Sequence, residues 1–118
     1  MYAAEFDYHK ASSVAEAIQM LGQNPGAKLL AGGHSLVPLM KLRLARPQVL
    51  IDLGKIATMS YIREQDGGLA IGAMTRYVEL ETSDLVKSHA PVLAEAAGIV
   101  ADPQVRNMGT IGGSLAHA

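Results

Sequence analysis

Cysteine is absent from this 118-residue sequence, and aromatic residues and net charge are both scarce. Without a thiol, the chain forms no disulfide, has no thiol nucleophile and holds no iron–sulfur cluster through cysteines of its own. One Phe, four Tyr and no Trp leave little for stacking on nucleic-acid bases, and a net charge of −1 offers no basic surface to a phosphate backbone. The composition therefore argues against disulfide-stabilised, thiol-dependent and nucleic-acid-binding proteins.

Long hydrophobic runs are also missing. No apolar run approaches the roughly 20 residues that a membrane-spanning helix requires. The N-terminal sequence carries an acidic residue early, at Glu5, where a signal peptide has a basic region. The apolar fraction of 49% and the charged fraction of 18% are nevertheless typical of a protein with an ordinary core. We therefore expect a soluble intracellular protein that does not span a membrane.

The first half of the sequence predicts an α/β arrangement. Residues 5–8 have the character of a short edge strand. Ser13 and Glu16 form an S-x-x-E capping box at the start of a helix whose apolar residues follow the i, i+3, i+4, i+7 spacing. The short apolar runs 27–31 and 48–53 predict two buried strands, and the helical stretch between them makes a β-α-β unit.

The second half of the sequence has a different pattern of apolar residues. Two alternating runs flank residues 66–68 (Asp-Gly-Gly), which predicts a β-hairpin with glycine at its tip. Thr75 and Ser83 are each placed to cap a short helix. We divide the chain into a small α/β lobe at 1–56 and the first part of an α+β lobe at 57–118.

The familiar nucleotide-binding and catalytic motifs are not found. No G-x-G-x-x-G follows a strand and no P-loop motif occurs, so neither a dinucleotide-binding Rossmann unit nor an ordinary P-loop is indicated. Ser35 lacks the G-x-S-x-G context of a nucleophilic serine. The histidines show no metal-ligand spacing; they are His9, His34, His89 and His117.

A glycine-rich turn follows the first predicted buried strand, at Gly32-Gly33-His34-Ser35. Glycines permit positive φ angles, so successive backbone N–H groups can converge on an anion, and no Cβ obstructs a phosphate lying against the backbone. The hydroxyl of Ser35 and the helical turn that begins at Leu36 favour the same ligand. The turn lies at the carboxyl end of a strand, where open α/β sheets bind ligands. An ordinary tight strand-to-helix turn explains the same residues.

A second segment near the end, Thr110–Ser114 (Thr-Ile-Gly-Gly-Ser), has the same ingredients. A hydroxyl stands on each side of a Gly-Gly pair, and the surrounding residues 101–118 show no periodicity, which predicts a loop. Two such segments in one small chain are what a ligand with two phosphates would need, although this segment alone is also explained as a plain loop.

Three stretches together carry a family resemblance: LLAGGHSLVPLMKLRLARPQVLIDLGKI, IGAMT and ADPQVRNMGTIGGSLAHA. The two glycine segments, joined in order by the Leu-x-Asp strand and the Gln-Val-Arg-Asn run, resemble the FAD-binding medium subunits of molybdenum hydroxylases. The similarity is greatest to the aerobic carbon monoxide dehydrogenase type, with the flavin domain of the xanthine dehydrogenase family more distant. It extends from residue 6 to the last residue.

The resemblance implies a fold and a cofactor site. The fold is the vanillyl-alcohol-oxidase/MurB-type (PCMH-type) FAD-binding domain, an α+β class in which a small α/β lobe and a larger α+β lobe clasp FAD. The glycine segments would hold the pyrophosphate, and the Val-Ala pair before the second segment would line the adenosine side. The implied FAD-binding residues are Leu29, Leu30, Ala31, Gly32, Gly33, His34, Ser35, Leu36, Val100, Ala101, Thr110, Ile111, Gly112, Gly113 and Ser114.

The resemblance also implies a role as an FAD-dependent oxidoreductase subunit without catalytic side chains or a metal of its own. A large molybdenum-cofactor subunit and a small iron–sulfur subunit would be its partners, and FAD would pass electrons to a quinone, NAD or oxygen. The implied location is the cytoplasm, including the inner face of the membrane. The alternatives are a truncated, non-catalytic assembly module of such a complex, or another FAD-linked oxidase of the same fold.

The sequence departs from the family pattern in two places. Ser114 stands where an asparagine often follows the two glycines, which offers a smaller contact. The chain also ends at Ala118, directly after the second glycine segment. By this resemblance we expect the N-terminal part of a longer subunit, with the second lobe incomplete at its C-terminus and most isoalloxazine-lining residues missing.

Overall fold

A computed structural model describes residues 5–33, 37, 40, 46–99 and 103–117 of the chain. The chain divides into two compact units, Met1–Ala57 and Thr58–Ala118. Each unit contains both helix and strand, so the mixed class predicted from the sequence is confirmed.

The first unit is built on a parallel sheet of three strands: β1 (Asp7–Lys10), β2 (Lys28–Leu30) and β3 (Val49–Asp52). β3 lies in the middle, and its residues Val49, Leu50 and Ile51 are buried. Asp52 is in register with both Lys10 and Leu30. The last residues of the three strands, Lys10, Leu30 and Asp52, therefore form one row, which we call the carboxyl edge.

Helix α1 (Val14–Gln23) begins where the capping residues predict. The Ser13 hydroxyl oxygen accepts a hydrogen bond from the Glu16 amide at 3.1 Å, which satisfies one of the free amides of the first turn. The reciprocal contact differs from the predicted capping box, because the Glu16 carboxylate accepts from the hydroxyl of Ser12 at 2.8 Å. The start of the helix is therefore confirmed.

Burial in this unit departs from the sequence prediction at two places. Ala17 is buried in α1, but Val14 and Ile18 of the same apolar stripe are 46% and 63% exposed. Strand β2 is also less buried than its apolar run predicts, since Leu29 is 43% exposed. The reason for β2 is its place at the edge of the sheet, where only β3 pairs with it.

The second unit starts with an antiparallel hairpin of β4 (Ile62–Gln65) and β5 (Gly68–Ile71). The two residues of its loop have positive φ angles, 52° at Asp66 and 77° at Gly67. Such a two-residue loop matches the right-handed twist of the paired strands and favours Asp-Gly. The predicted hairpin is confirmed.

Five helices follow the hairpin in the described part of this unit: α2 (Tyr77–Thr82), α3 (Asp84–His89), α4 (Pro91–Ile99), α5 (Pro103–Met108) and α6 (Ile111–His117). Their core contains the buried side chains of Leu80, Val86, Ala94 and Ala97. The partly buried residues Ile62, Leu69, Ile71, Tyr77, Leu93 and Ile111 pack against this core. The hairpin and the helices therefore share one apolar cluster.

Of the two predicted caps in this unit, one is right and one is wrong. The Ser83 hydroxyl oxygen accepts from the Val86 amide at 3.3 Å and caps α3. Thr75 caps no helix; its buried hydroxyl accepts from the Tyr61 amide at 3.2 Å and donates to the Tyr61 carbonyl at 3.1 Å. Thr75 instead joins the segment before α2 to the segment before β4, a long-range contact that a local capping rule does not detect.

Candidate functional site

The first glycine segment leaves the carboxyl edge directly after β2. Gly33 has a φ angle of +85°, a region that residues with a Cβ rarely adopt. Its carbonyl accepts a hydrogen bond from the Val37 amide at 2.9 Å, which is the spacing of a helical turn. A Cβ built on Gly33 would lie 3.2 Å from Val37 Cγ2 and 3.6 Å from Leu30 Cδ1. The described part of the predicted turn is Ala31–Gly33, which we call the glycine turn, and its geometry requires glycine at Gly33.

The described part of this segment is partly accessible. Leu29 is exposed, and Leu30, Ala31, Gly32 and Gly33 are half-buried. The other residues predicted for this end of the site, His34, Ser35 and Leu36, lie outside the described residues, as do Val100 and Ala101.

The second glycine segment is a helix start and not the loop that the sequence predicts. Residues Ile111–His117 form α6, and Thr110 caps it. The Thr110 hydroxyl oxygen accepts from the Gly113 amide at 3.1 Å, and its carbonyl accepts from the Ser114 amide at 3.1 Å. The preceding prediction of a loop over 101–118 is also wrong at α5, which forms over Pro103–Met108.

The first amides of α6 bond to a distant segment of the same unit. The amide of Ile111 donates to the Thr75 carbonyl at 3.1 Å, and the amide of Gly112 donates to the Ala73 carbonyl at 2.8 Å. With the two amides capped by Thr110, four consecutive N–H groups therefore have acceptors within the chain. The second segment therefore does not offer the free backbone amides that were inferred for an anion site in the first segment. Its exposed polar side chain is that of Ser114.

A pair of side chains that the sequence analysis did not single out lies at the carboxyl edge. The Tyr8 hydroxyl donates a hydrogen bond to Asp52 Oδ2, and Asp52 Oδ1 accepts from the Gly54 amide at 2.8 Å. The bond to the Asp52 carboxylate raises the pKa of Tyr8 above its ordinary value of 10.0, with smaller contributions from desolvation and from repulsion between phenolate and carboxylate. An aspartate at the end of a parallel strand is the signal that could have indicated this pair.

We expect the raised pKa of Tyr8 to make the folded state lose stability in strong base. A group protonated more firmly when folded contributes stability below its unfolded pKa, here 10.0, and that contribution is lost as pH rises through the folded pKa. Following the tyrosine Cζ resonances by NMR should show a titration above pH 10 that disappears in Tyr8→Phe, separate from that of Tyr77, whose pKa is raised by its burial. In Asp52→Asn this titration should move down towards the ordinary value; a Tyr8 titration unchanged by that substitution contradicts the assignment.

The described residues contain neither a metal-ligand cluster nor a membrane-spanning helix. Within 5–33, 37, 40, 46–99 and 103–117, no three or more His, Asp or Glu side chains are grouped so that they could hold a metal ion. No helix in this part of the chain has the length and apolar character to cross a membrane. The glycine turn and the carboxyl edge remain the candidate ligand site of the first unit.

Comparisons with known proteins agree over nearly the whole chain. Residues 4–118 match the model of a protein family described as the FAD binding domain in molybdopterin dehydrogenase. The chain is 53% identical to the carbon monoxide dehydrogenase medium chain of Hydrogenophaga pseudoflava, over 99% of this chain and 41% of that protein. It is 47% identical to the 6-hydroxypseudooxynicotine dehydrogenase complex subunit alpha of Paenarthrobacter nicotinovorans, over 100% of this chain and 40% of that protein.

A solved structure gives the same result in three dimensions. Carbon monoxide dehydrogenase from Hydrogenophaga pseudoflava, in a form that lacks the Mo-pyranopterin moiety of the molybdenum cofactor, matches with a TM-score of 0.96 at 53% identity. The match covers 99% of this chain and 41% of that chain. The resemblance and the fold class predicted from the sequence are confirmed, and the chain spans about two fifths of the length of these relatives.

Proposed function

Because the chain belongs to the family of FAD binding domains in molybdopterin dehydrogenases, we propose that it binds FAD as part of the medium subunit of a molybdenum hydroxylase. In this role it relays electrons that arrive from the iron–sulfur clusters of a small subunit. A large subunit with the molybdenum cofactor oxidises the substrate, and an external acceptor of the quinone, NAD or oxygen class takes the electrons. The proposed location is the cytoplasm or the inner face of the membrane.

The glycine turn of the first unit carries this proposal, because its geometry fits a diphosphate. Gly33 has the left-handed φ of +85° in the turn that leaves the carboxyl edge, which is the place where open α/β sheets accept phosphate-containing ligands. A Cβ at Gly33 would crowd the side chains of Val37 and Leu30, so this backbone shape requires glycine at that position. We therefore propose that Ala31, Gly32 and Gly33 contact the FAD pyrophosphate.

We also propose diphosphate contacts for the second segment, Thr110–Ser114, on a different physical basis. The amides of Ile111 and Gly112 already bond to carbonyl groups, so the available donor is the exposed hydroxyl of Ser114. Gly112 contributes indirectly, because its missing side chain allows the start of the helix to lie against Ala73. Ile111 supports the segment from inside, since it packs against the core cluster of the second unit.

When bound, FAD supplies one- and two-electron transfer chemistry that no side chain of this sequence provides. The residues of the chain have the tasks of binding and orientation. Ala31–Gly33 present backbone to the diphosphate, and Leu29 and Leu30 lead the chain to that point at the end of β2. No general acid or base is needed from this chain for a relay of electrons.

The proposal is tested by titrating the chain with FAD and with ligands that correspond to only one part of FAD. We expect the purified 118-residue chain to carry little yellow colour and to bind added FAD and ADP with similar affinity by isothermal titration calorimetry. Riboflavin, which has the ring but no phosphate, should give no measurable heat. AMP should bind at least about tenfold more weakly than ADP, because it lacks one charged phosphate group.

Two outcomes count against the proposal. Binding of riboflavin without binding of ADP would place the affinity in the flavin ring and contradict diphosphate recognition. If neither FAD nor ADP binds, the chain alone is not an FAD-binding unit, and the assembly-module alternative is favoured.

A further inference from the structure

Asp52 ends the central strand of the parallel sheet and joins both neighbouring strands. Its carbonyl oxygen accepts a hydrogen bond from the Ala11 amide, which follows β1, at 3.0 Å. The amide of the next residue, Leu53, donates to the carbonyl of Leu30, the last residue of β2, at 3.0 Å. The backbone at residues 52–53 therefore ties the ends of all three strands together.

The side chain of Asp52 is held from two directions. The Tyr8 hydroxyl, on β1, donates to Oδ2, and the Gly54 amide donates to Oδ1 at 2.8 Å. The turn closes tightly around the carboxylate, because a Cβ on Gly54 would lie 3.0 Å from Oδ1. Both carboxylate oxygens are thus engaged, one by the neighbouring strand and one by the turn that follows β3.

The bond from Leu53 to Leu30 is the last strand contact before the glycine turn. Its geometry depends on the direction in which the chain turns after Asp52, and the two bonds to the carboxylate fix that direction. A direct contact of the carboxylate with a diphosphate is unfavourable, since both are negative. The chemistry of Asp52 therefore suits holding the turn and not touching the ligand.

Resting on the proposed FAD site in the glycine turn, we propose that Asp52 is a positioning residue for Ala31–Gly33 and that Tyr8 holds its carboxylate. Asp52 acts through Leu53 and Leu30 and makes no contact with the cofactor. Loss of the carboxylate frees the turn after β3, and the mobility passes to the glycine turn through the Leu53–Leu30 bond.

The test is made on the full 118-residue chain without ligand and then with FAD. In Asp52→Ala, the NMR order parameters of the Ala31, Gly32 and Gly33 amides should fall from about 0.85 to below about 0.6, the range of flexible backbone. FAD and ADP affinity should fall at least about tenfold. Because Tyr8 and Gly54 are exposed, water replaces the lost carboxylate, and the melting temperature should change little.

Two further variants separate positioning from a general effect. Asp52→Asn keeps an oxygen that accepts from Gly54 and should restore FAD affinity to within about threefold of the wild type. Asp7→Ala is the matched control, since Asp7 is an exposed aspartate at the opposite end of the same sheet. It should leave the glycine amides and the FAD affinity unchanged.

Tyr8→Phe completes the experiment. If Tyr8 acts through Asp52, Tyr8→Phe should weaken FAD binding in the wild-type background and have no effect in the Asp52→Ala background, as coupled residues do in a double-mutant cycle. Additive effects of the two substitutions would overturn the assigned role of Tyr8.

The outcomes for Asp52 are distinct from those for FAD binding. Unchanged order parameters at Ala31–Gly33 in Asp52→Ala overturn the positioning role, and so does an equal loss of order throughout β1, β2 and β3. If the wild type binds neither FAD nor ADP, the proposed function fails for this chain, while the ligand-free NMR data still decide whether Asp52 holds the turn.

Discussion

Replacing Gly112 with valine is expected to destabilise the protein by about 3 kcal/mol, through overpacking and the loss of helix-start hydrogen bonds. A Cβ built on Gly112 lies 2.7 Å from both the Cβ and the carbonyl oxygen of Ala73. That same carbonyl accepts the Gly112 amide at 2.8 Å. Valine cannot relieve the overlap by rotating its side chain, because the Cβ position is set by the backbone.

The overlap can be relieved only by moving the start of α6 away from Ala73. This movement breaks the Gly112 bond and strains the neighbouring bond from Ile111 to the Thr75 carbonyl. It also lifts Ile111 from the core cluster of its unit. We therefore expect thermal unfolding, followed by circular dichroism, to show a melting temperature lower by about 10 °C or more.

Gly22→Ala is the matched control for this substitution. Gly22 also lies in a helix, α1, and a Cβ at this position meets no atom within 4 Å. Gly22 is next to the last residue of α1, so alanine there should stabilise the protein by at most about 1 kcal/mol, because glycine in a helix has excess freedom in the unfolded chain. A Gly112→Val variant that melts with the wild type would contradict the described packing of α6.

The sequence was sufficient to predict elements whose signals are local. Ser13 and Ser83 each stand three residues before the amide they cap, and Asp66-Gly67 supplies the positive φ angles of its own turn. The turn at Gly33 is also a local signal, because the positive φ angle that requires glycine belongs to Gly33 itself. The glycine half of the candidate site was predictable for this reason.

The sequence was insufficient where distant residues decide the structure. Two glycines give Ile111–Ser114 a low intrinsic helix propensity, yet the segment is helical because Thr110 caps it and carbonyl groups 36 and 39 residues earlier in the chain receive its first amides. The pairing of Tyr8 with Asp52 spans 44 residues. Hydrophobic periodicity within a short window of sequence predicts neither the bonds at the start of α6 nor the Tyr8–Asp52 pair.

Local periodicity also fails to predict how deeply an element is buried. The apolar run of β2 is compatible with a central strand, and its edge position follows only from the sheet order, in which β3 separates it from β1. Likewise, Ile18 continues the apolar stripe of α1 but is 63% exposed. Burial therefore depends on topology that a single chain segment does not encode.

Gly33→Ala is expected to lower the affinity for FAD and ADP at least about tenfold, equivalent to 1.4 kcal/mol. Alanine at a φ of +85° is strained, so the backbone of the glycine turn shifts towards negative φ and away from the shape that receives the diphosphate. The new Cβ would also lie 3.2 Å from Val37 Cγ2. Calorimetric titration with FAD and with ADP measures the effect.

Gly26→Ala separates this local effect from the general cost of a strained alanine. Gly26 has a φ of +82° and open space around its Cβ position, and it lies in the same unit before β2. Both variants should lose about 1–2 kcal/mol of stability, since each places a Cβ in the left-handed region. Only Gly33→Ala should lose ligand affinity; equal affinities for the two variants would remove the glycine turn from the proposed FAD site.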